Sequence, residues 1–271
     1  MPAIILIRGG GDLASGVALR LHRVGLRVVI TEVAQPLAVR RWVSFAEAVY
    51  QGQFTVEGVT ARLVKDPQDS LAVLMVLSKG HIPVLIDPQA AAISLLHPTV
   101  VVDARMLKQR IELDPRRVAL LIGLGPGFEA GVNCHAAVET NRGHFLGRVI
   151  WQGCPESDTS LPDSVSGHQV ERVLRAPVDG LFQARSEIGD HLEQGQLLAQ
   201  VNDQPILAPF PGVLRGLLHS ELLVKQGLKI GDIDPRDDPR YCTLVSDKSL
   251  AIGGGVMEAI FSRAELRSQL W

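Results

Sequence analysis

The feature that most limits the fold of this chain is its opening. An apolar run, three glycines, a helical stretch and a second apolar run all fall within the first 32 residues. Ala3 to Arg8 stops at Gly9-Gly10-Gly11, Leu13 to Val24 carries apolar residues at helical period, and Leu26 to Glu32 is rich in β-branched residues. Strand, glycine turn, helix, strand is the start of a doubly wound α/β unit. Pro36 to Tyr50 reads as a helix, and Ser70 to Lys79 as another. Ile82 to Ile86 ends at Asp87, Thr99 to Val102 ends at Asp103, and Arg117 to Ile122 runs into Gly123-Leu124-Gly125-Pro126-Gly127. Runs that end on an acid or a glycine are what parallel strands show at the ligand-binding edge of a sheet. A parallel sheet over about residues 1–125 is therefore expected.

Composition narrows the class. Of 271 residues, 46% are apolar and 21% charged, which excludes a mainly disordered chain and leaves ample material for a core. Aromatics at 4% argue against a stacking platform for single-stranded nucleic acid, and a formal charge of −2 against a general nucleic-acid binder. The first residues, MPAIILIRGGGD, read as a strand rather than a leader, and no run is long enough for a membrane span. Cys134, Cys154 and Cys242 form no disulfide framework, so a reducing cytoplasm is expected.

Beyond residue 170 the pattern changes. Ala176-Pro177-Val178-Asp179-Gly180 recurs as Ala208-Pro209-Phe210-Pro211-Gly212, at an offset of 32 residues. At the same offset Leu192-Glu193-Gln194-Gly195 becomes Val224-Lys225-Gln226-Gly227. Short apolar runs between glycines, without helical period, point to two similar β-units packed as one small sandwich over about 172–235. Tyr241 to Ser246 then reads as a strand, and Gly253-Gly254-Gly255 as the start of a helix over Val256 to Leu266. The expected fold is α/β, a Rossmann-like doubly wound parallel sheet with a small all-β module of the barrel-sandwich hybrid kind. The expected domains are 1–170 (nucleotide- or cofactor-binding-like), 171–236 (β-module) and 237–271, a strand and helix packing back on the first.

Three glycine clusters offer chemistry. Gly9, Gly10, Gly11 and Asp12 fit GxGxxA between strand and helix, with Glu32 closing the next strand. Such glycines let a phosphate approach a helix N-terminus, and an acid in that place can accept from a ribose hydroxyl. Asp12 opposes a pyrophosphate and has a second reading as a helix cap. Gly123, Gly125 and Gly127 follow a strand and can present an anion nest. Downstream, a helix over 134–142 would put His135 and Glu139 on one face, beside Cys134 as a nucleophile; equally, Cys134 can be a buried small hydrophobe. The third cluster joins Lys248 with Gly253, Gly254 and Gly255. Arg142 and Arg148 are further phosphate candidates, and Arg215 reads as a surface residue. No CxxC or HExxH spacing supports a metal among Cys134, His135, Glu139 and His144, so no metal is expected.

Several motifs together carry a family resemblance. They are RGGGDLASGVA (8–18), GHIPVLIDP (80–88), GLGPGF (123–128) with AG at 130–131, and NCHAAVETNRGHFLGRVI (133–150). ERVLRAPVDG (171–180), KIGDIDPR (229–236) and SDKSLAIGGGVMEAI (246–260) continue it. Nearly end to end, the chain resembles accessory proteins of the selenium-dependent molybdenum hydroxylase system, related in part to XdhC-type maturation factors of xanthine dehydrogenase. The resemblance implies a maturation factor that binds or handles a molybdenum-pterin cofactor or a nucleotide, with a molybdenum hydroxylase as client. It fixes no reaction. The repeat also resembles the biotinyl/lipoyl-type sandwich, but Gln200-Val201-Asn202-Asp203-Gln204-Pro205 between its halves offers no lysine for a swinging arm.

Two other classes stay open from the sequence. One is a cofactor-modifying enzyme, transferring sulfur or selenium through Cys134 with His135 and Glu139. The other is an NAD(P)-dependent oxidoreductase, favoured by the first glycine motif alone and opposed by the lack of a Tyr-x-x-x-Lys set. Neither nucleic acid nor a membrane is an expected partner.

Overall fold

The structure is a computed structural model that describes residues 3–109, 118–157, 165, 167–168 and 170–270. The start of the strand expected at 117 lies outside the described residues. Two compact units emerge: 1–36, 44–159 and 245–271 form the first, and 37–43 with 160–244 the second.

The first unit is built on nine strands: β1 (Ile4–Arg8), β2 (Arg27–Glu32), β3 (Gln53–Val56), β4 (Val59–Val64), β5 (Ile82–Ile86), β6 (Val100–Asp103), β7 (Leu120–Leu124), β8 (Ala136–Val138) and β9 (Val149–Ile150). They form one sheet in the order β3-β4-β5-β2-β1-β6-β7-β8-β9. Every pair is parallel except the two edge hairpins, β3/β4 and β8/β9. The central strands are continuous apolar runs because helices cover both faces of such a sheet. Ile5, Leu6, Ile7, Val29, Ile30, Val84, Leu85, Val101 and Val102 are all buried. The unit also holds α1 (Asp12–Arg23), α2 (Ala48–Gln51), α3 (Ser70–Ser78) and α4 (Ala92–Leu96).

The helix expected over Pro36–Tyr50 is broken into two 3-10 turns, Arg41–Val43 and Phe45–Glu47, before α2. The reason is competition for backbone donors. The Phe45 N–H donates to Ser15 Oγ at 2.7 Å and the Ala46 N–H to the Gly10 carbonyl at 2.8 Å, so neither is spent inside a helix.

The second unit contains β10 (Val173–Arg175), β11 (Gly180–Ala184), β12 (His191–Leu192), β13 (Leu197–Val201), β14 (Gln204–Leu207), β15 (Gly212–Leu217), β16 (Leu222–Val224) and β17 (Lys229–Asp234). They make two four-stranded antiparallel sheets, β10-β17-β15-β12 and β14-β13-β11-β16. Shifting by 32 residues turns the first order into the second, strand for strand. Hydrogen bonds repeat with it. Ala176 N–H donates to Leu228 O and Ala208 N–H to Gln196 O, while Gly227 N–H donates to Ala176 O and Gly195 N–H to Ala208 O. Phe182, Leu198, Val201, Leu214, Ile230 and Ile233 fill the space between the sheets.

The strand expected over Tyr241–Ser246 is absent. Asp238 Oδ1 accepts from Arg240 N–H, and the chain coils into the short helix α5 (Arg240–Thr243) in the second unit. In the first unit Ser246 caps α6 (Asp247–Phe261) by accepting from Ser249 N–H, and α7 (Ala264–Arg267) follows. Gly253, Gly254 and Gly255 therefore lie inside a helix, where they have no orphan N–H groups to offer an anion. Two of them serve packing instead. A Cβ on Gly253 would stand 2.9 Å from Arg20 Cγ, and one on Gly255 would collide with Gly147 O. Across the same helix pair a Cβ on Gly16 would stand 2.5 Å from Ser249 Cβ, so α1 and α6 pack with their backbones close.

Candidate functional site

Strand order reverses at β1: the chain runs outward through β2 and β5 on one side and through β6 and β7 on the other. In open α/β sheets such a reversal is the place where a ligand crevice can form, because the connections leave in opposite directions. Here Gly9-Gly10-Gly11 and the start of α1 follow β1, and Ala104 and Arg105 follow the neighbouring β6. Gly9 has φ +93°, which favours glycine, and its missing Cβ would face Ala104 O at 3.4 Å and Arg105 Cγ at 3.6 Å. Gly11 is different. Its φ of −69° and ψ of −175° suit any residue, and nothing lies within 4 Å of where a Cβ would be. Neither the backbone nor the packing asks for glycine there.

The acid expected to meet a ribose is already engaged. Glu32 Oε2 accepts from Gly10 N–H at 2.7 Å and Oε1 from Val33 N–H at 2.8 Å, so Glu32 braces the glycine turn. Asp12 does not cap α1; Gly11 stands at the cap, and Asp12 Oδ1 accepts from Ser249 Oγ at 2.9 Å, linking α1 to α6. A carboxylate in the first turn of a helix is favoured by the helix dipole.

Beside the turn lies a charge cluster around Asp103, one of the strand-end acids expected at this edge, whose arginine partners the sequence did not reveal. Asp103 is fully buried and accepts from Arg105 Nε at 2.9 Å, Arg105 Nη2 at 2.6 Å and Arg8 Nη1 at 3.3 Å. Burial lowers the Arg8 pKa, and the Asp103 charge offsets part of that. Asp87 accepts from Ala91 and Ala92 N–H and starts the turn into α4. The available signal was a charged residue at the ends of the adjacent strands β1 and β6, and another just past β5.

The second cluster is structural. Gly123 lies in β7 with the Phe128 ring where its Cβ would be, and Gly127 N–H donates to Leu107 O at 2.8 Å. Gly125, at φ +97°, makes the turn between them. The helix expected over 134–142 is instead strand β8, because Ala136, Ala137 and Val138 are small or β-branched, fully buried, and paired with β7 and β9. Cys134 is fully buried, which pushes its thiol up to about 12, so it is protonated at neutral pH and is no nucleophile. His135 Nδ1 accepts from Leu121 N–H at 2.9 Å. Glu139 is buried, with Oε1 accepting from Thr140 and Asn141 N–H and Oε2 from Glu156 N–H. Cys134, His135 and Glu139 thus form no catalytic set.

Arg142 forks onto Asp247 in the first turn of α6, at 2.6 and 2.7 Å, and Lys248 follows it there. Gly9–Gly11 and Gly123–Gly127 lie on either side of the end of β6, whereas Gly253–Gly255 belong to the interior of α6. Among the described residues no group of three His, Cys, Asp or Glu is placed to hold a metal ion. No helix among them is long and apolar enough to cross a membrane.

No family model matches the chain. It is 46% identical over 257 residues to a protein of Escherichia coli (strain K12) described as uncharacterized protein YqeB, covering 95% of this chain and 47% of that one. The chain spans about half the length of the curated relative it matches. Among solved structures, an aspartoacylase family protein of Mesorhizobium loti is 9% identical with a TM-score of 0.27, over 86% of this chain and 84% of that one. A succinylglutamate desuccinylase of Silicibacter sp. TM1040 is 12% identical with a TM-score of 0.25, over the same shares. Likenesses this remote carry no argument about the fold or activity of this chain.

The family expectation is corrected here: no family model matches the chain and its curated relative is described only as an uncharacterized protein, so neither points to a selenium-dependent molybdenum hydroxylase accessory or an XdhC-type factor. The maturation role rested on that resemblance and falls with it. Transfer of sulfur or selenium through Cys134 falls with the buried, protonated thiol. The oxidoreductase reading gains no support, since Glu32 is bound to its own turn.

Proposed function

We propose that the first unit is a small-molecule binding module, Rossmann-like in its central strands, that takes a nucleotide or another phosphate-bearing ligand in the crevice at the ends of β1 and β6. One observation carries this: the strand order reverses at β1, and the turn that opens there bears a glycine, Gly11, with open space before it. The first turn of an α-helix presents N–H groups without intrahelical acceptors, and its dipole favours an anion. Arg105 stands across the crevice with its guanidinium partly exposed and can share itself between Asp103 and a phosphate. Glu32 keeps the turn in shape and is assigned no contact with the ligand. The proposal is one of binding and includes no reaction. We place the protein in a reducing cytoplasm, where Cys134, Cys154 and Cys242 stay free as they are here.

The test is calorimetric titration of the full chain with ATP, GTP, CTP, NAD, NADP and inorganic phosphate. At least one of them should bind stoichiometrically. Gly11→Leu, which the backbone accommodates, should weaken that binding by about tenfold or more, and Arg105→Ala by a comparable factor. Lys79→Ala, an exposed change before the start of β5 and so at the opposite end of the sheet, should leave it unchanged. Absence of binding by every probe, or binding indifferent to both crevice variants, overturns the proposal.

A further inference from the structure

At the other end of the same sheet, where β7 begins, His135, Trp151, Ser262 and Arg263 line an open groove of about 480 Å³. His135 precedes β8 and Trp151 follows β9, so the antiparallel β8/β9 pair sets the two rings side by side. Ser262 and Arg263 come from the C-terminal end of α6. The Arg263 guanidinium lies over the Trp151 ring, 4.8 Å from its centroid.

His135 is held in one tautomer. The His135 backbone N–H donates to Leu121 O at 2.9 Å, and the Leu121 backbone N–H donates to the His135 ring Nδ1 at 2.9 Å. A ring nitrogen that accepts cannot carry the proton, so the proton sits on Nε2. Among the described residues nothing accepts a hydrogen bond from that Nε2–H. Burial, and then the Arg263 charge, hold the ring below its ordinary pKa and keep it neutral. Ser262 donates its hydroxyl to Ala259 O. The groove therefore offers a fixed N–H donor, a guanidinium and the indole that guanidinium lies over, with Glu265 as the acid paired to Arg263 beside it.

We infer that this groove binds a small carboxylate borne on a flat, apolar group, with Arg263 and His135 Nε2–H donating to the carboxylate and Trp151 lying against the flat group. A guanidinium fork matches a carboxylate in shape as well as charge. A doubly charged phosphate is less suited, because the carbonyl end of α6 brings partial negative charge to the same place. Glu265 sits 3.6 Å from Arg263 Nη1 as a loose, exposed pair, which a ligand carboxylate would replace. The inference is independent of the crevice at β1 and β6.

Calorimetric titration of the full chain with sodium benzoate, acetate and inorganic phosphate tests it, with long-range 15N NMR reporting on the His135 ring. Benzoate should bind more tightly than acetate or phosphate and shift the Nε2 resonance while leaving Nδ1 an acceptor. Arg263→Gln should weaken benzoate about tenfold, and Glu265→Gln, an exposed change that the fold tolerates, should tighten it a few-fold. Gly11→Leu should have no effect. No saturable benzoate binding, a stronger response to phosphate, or binding insensitive to both Arg263→Gln and Glu265→Gln overturns the inference.

Discussion

The two halves of the second unit share one backbone plan and differ in what that plan carries. Phe182 in β11 and Leu214 in β15 occupy equivalent positions and are both fully buried. One residue on stand Gln183 and Arg215: Gln183 lies opposite Gln200 in regular register, whereas Arg215 sits at a register shift of β15, where Gly216 is paired with Asp232. In the first half Gln200 Nε2 donates to Gln183 Oε1 at 2.8 Å, a neutral amide pair. In the second half the equivalent places hold Arg215 and Asp232, joined as an ion pair with a 2.6 Å bond from Arg215 Nε. Arg172 donates to the same Asp232, and Asp234 receives Arg215 and Arg236. Arg215, expected at the surface, is thus at the centre of a charge network.

What covers each sheet explains the difference. Val39 O accepts from Leu217 N–H, Arg41 Nε donates to Leu217 O, and Cys242 Sγ donates to Leu214 O, so residues 37–43 and α5 lie against β15. Among the described residues, β11 receives its sheet neighbours and the turn at Ser220 and Glu221. Leu181 is 36% exposed while its counterpart Val213 is 0% exposed, and Leu223 in the neighbouring β16 is 81% exposed. A charge network under cover must be closed, because an unmatched buried charge costs several kcal/mol. An amide pair near water has no such demand.

The largest effect expected from this contrast is in Asp232→Ala. Arg172 and Arg215 lose the carboxylate they share, and urea denaturation should show a loss of about 3–5 kcal/mol. Gln200→Ala, the same truncation in the other half, should cost about 1 kcal/mol. Equal losses would break the comparison. Next comes the transplant Arg215→Gln with Asp232→Gln, which carries the first half's pair into the second. It should recover part of the Asp232→Ala loss and leave a deficit of about 1–2 kcal/mol.

A pH series sharpens the contrast further. Burial acts to raise the Asp234 pKa, but hydrogen bonds from the Arg236 side chain and N–H, with the charges of Arg215 and Arg236, hold it below its ordinary value. A depressed carboxyl contributes its full stabilisation above the unfolded pKa, about 3.9, and loses it as pH falls through the folded one. The second unit should thus lose stability on acidification through and below that range, and Asp234→Asn should flatten the loss seen in acid denaturation. The smallest effect is Lys225→Ala. Lys225 donates to Asp179 at 2.7 Å in full solvent, and the denaturation midpoint should not move.

Much of the architecture was legible because it rests on local signals. The glycine turn after Arg8, the β-branched runs ending at Glu32, Ile86 and Asp103, and the turn residues repeated at Gly180 and Gly212 each specify backbone geometry over a few positions. The misread elements share another property. At 36–50, 134–142 and 241–246 there are decisive partners distant in sequence: Gly10 and Ser15 for the first, β7 and β9 for the second, and for the third Arg40, which donates to Tyr241 O and Leu244 O. The candidate site was legible in part, as glycines at a strand end. That Glu32 would close on Gly10, or that Cys134 would be sealed in the core, depends on contacts no local pattern encodes.

The sequence by itself determined the parallel sheet, the place of the glycine turn at its edge and the twofold plan of the second unit, since period, turn residues and repeat act through neighbouring residues. Only the tertiary structure decided which polar groups are already spent. A carboxylate, a thiol or a run of glycines has the same formula whether it meets solvent, a backbone N–H or a packed helix. Its chemistry follows from that surrounding: desolvation silences Cys134, three N–H donors occupy Glu139, and the close approach of α1 and α6 turns Gly253 from an anion site into a contact.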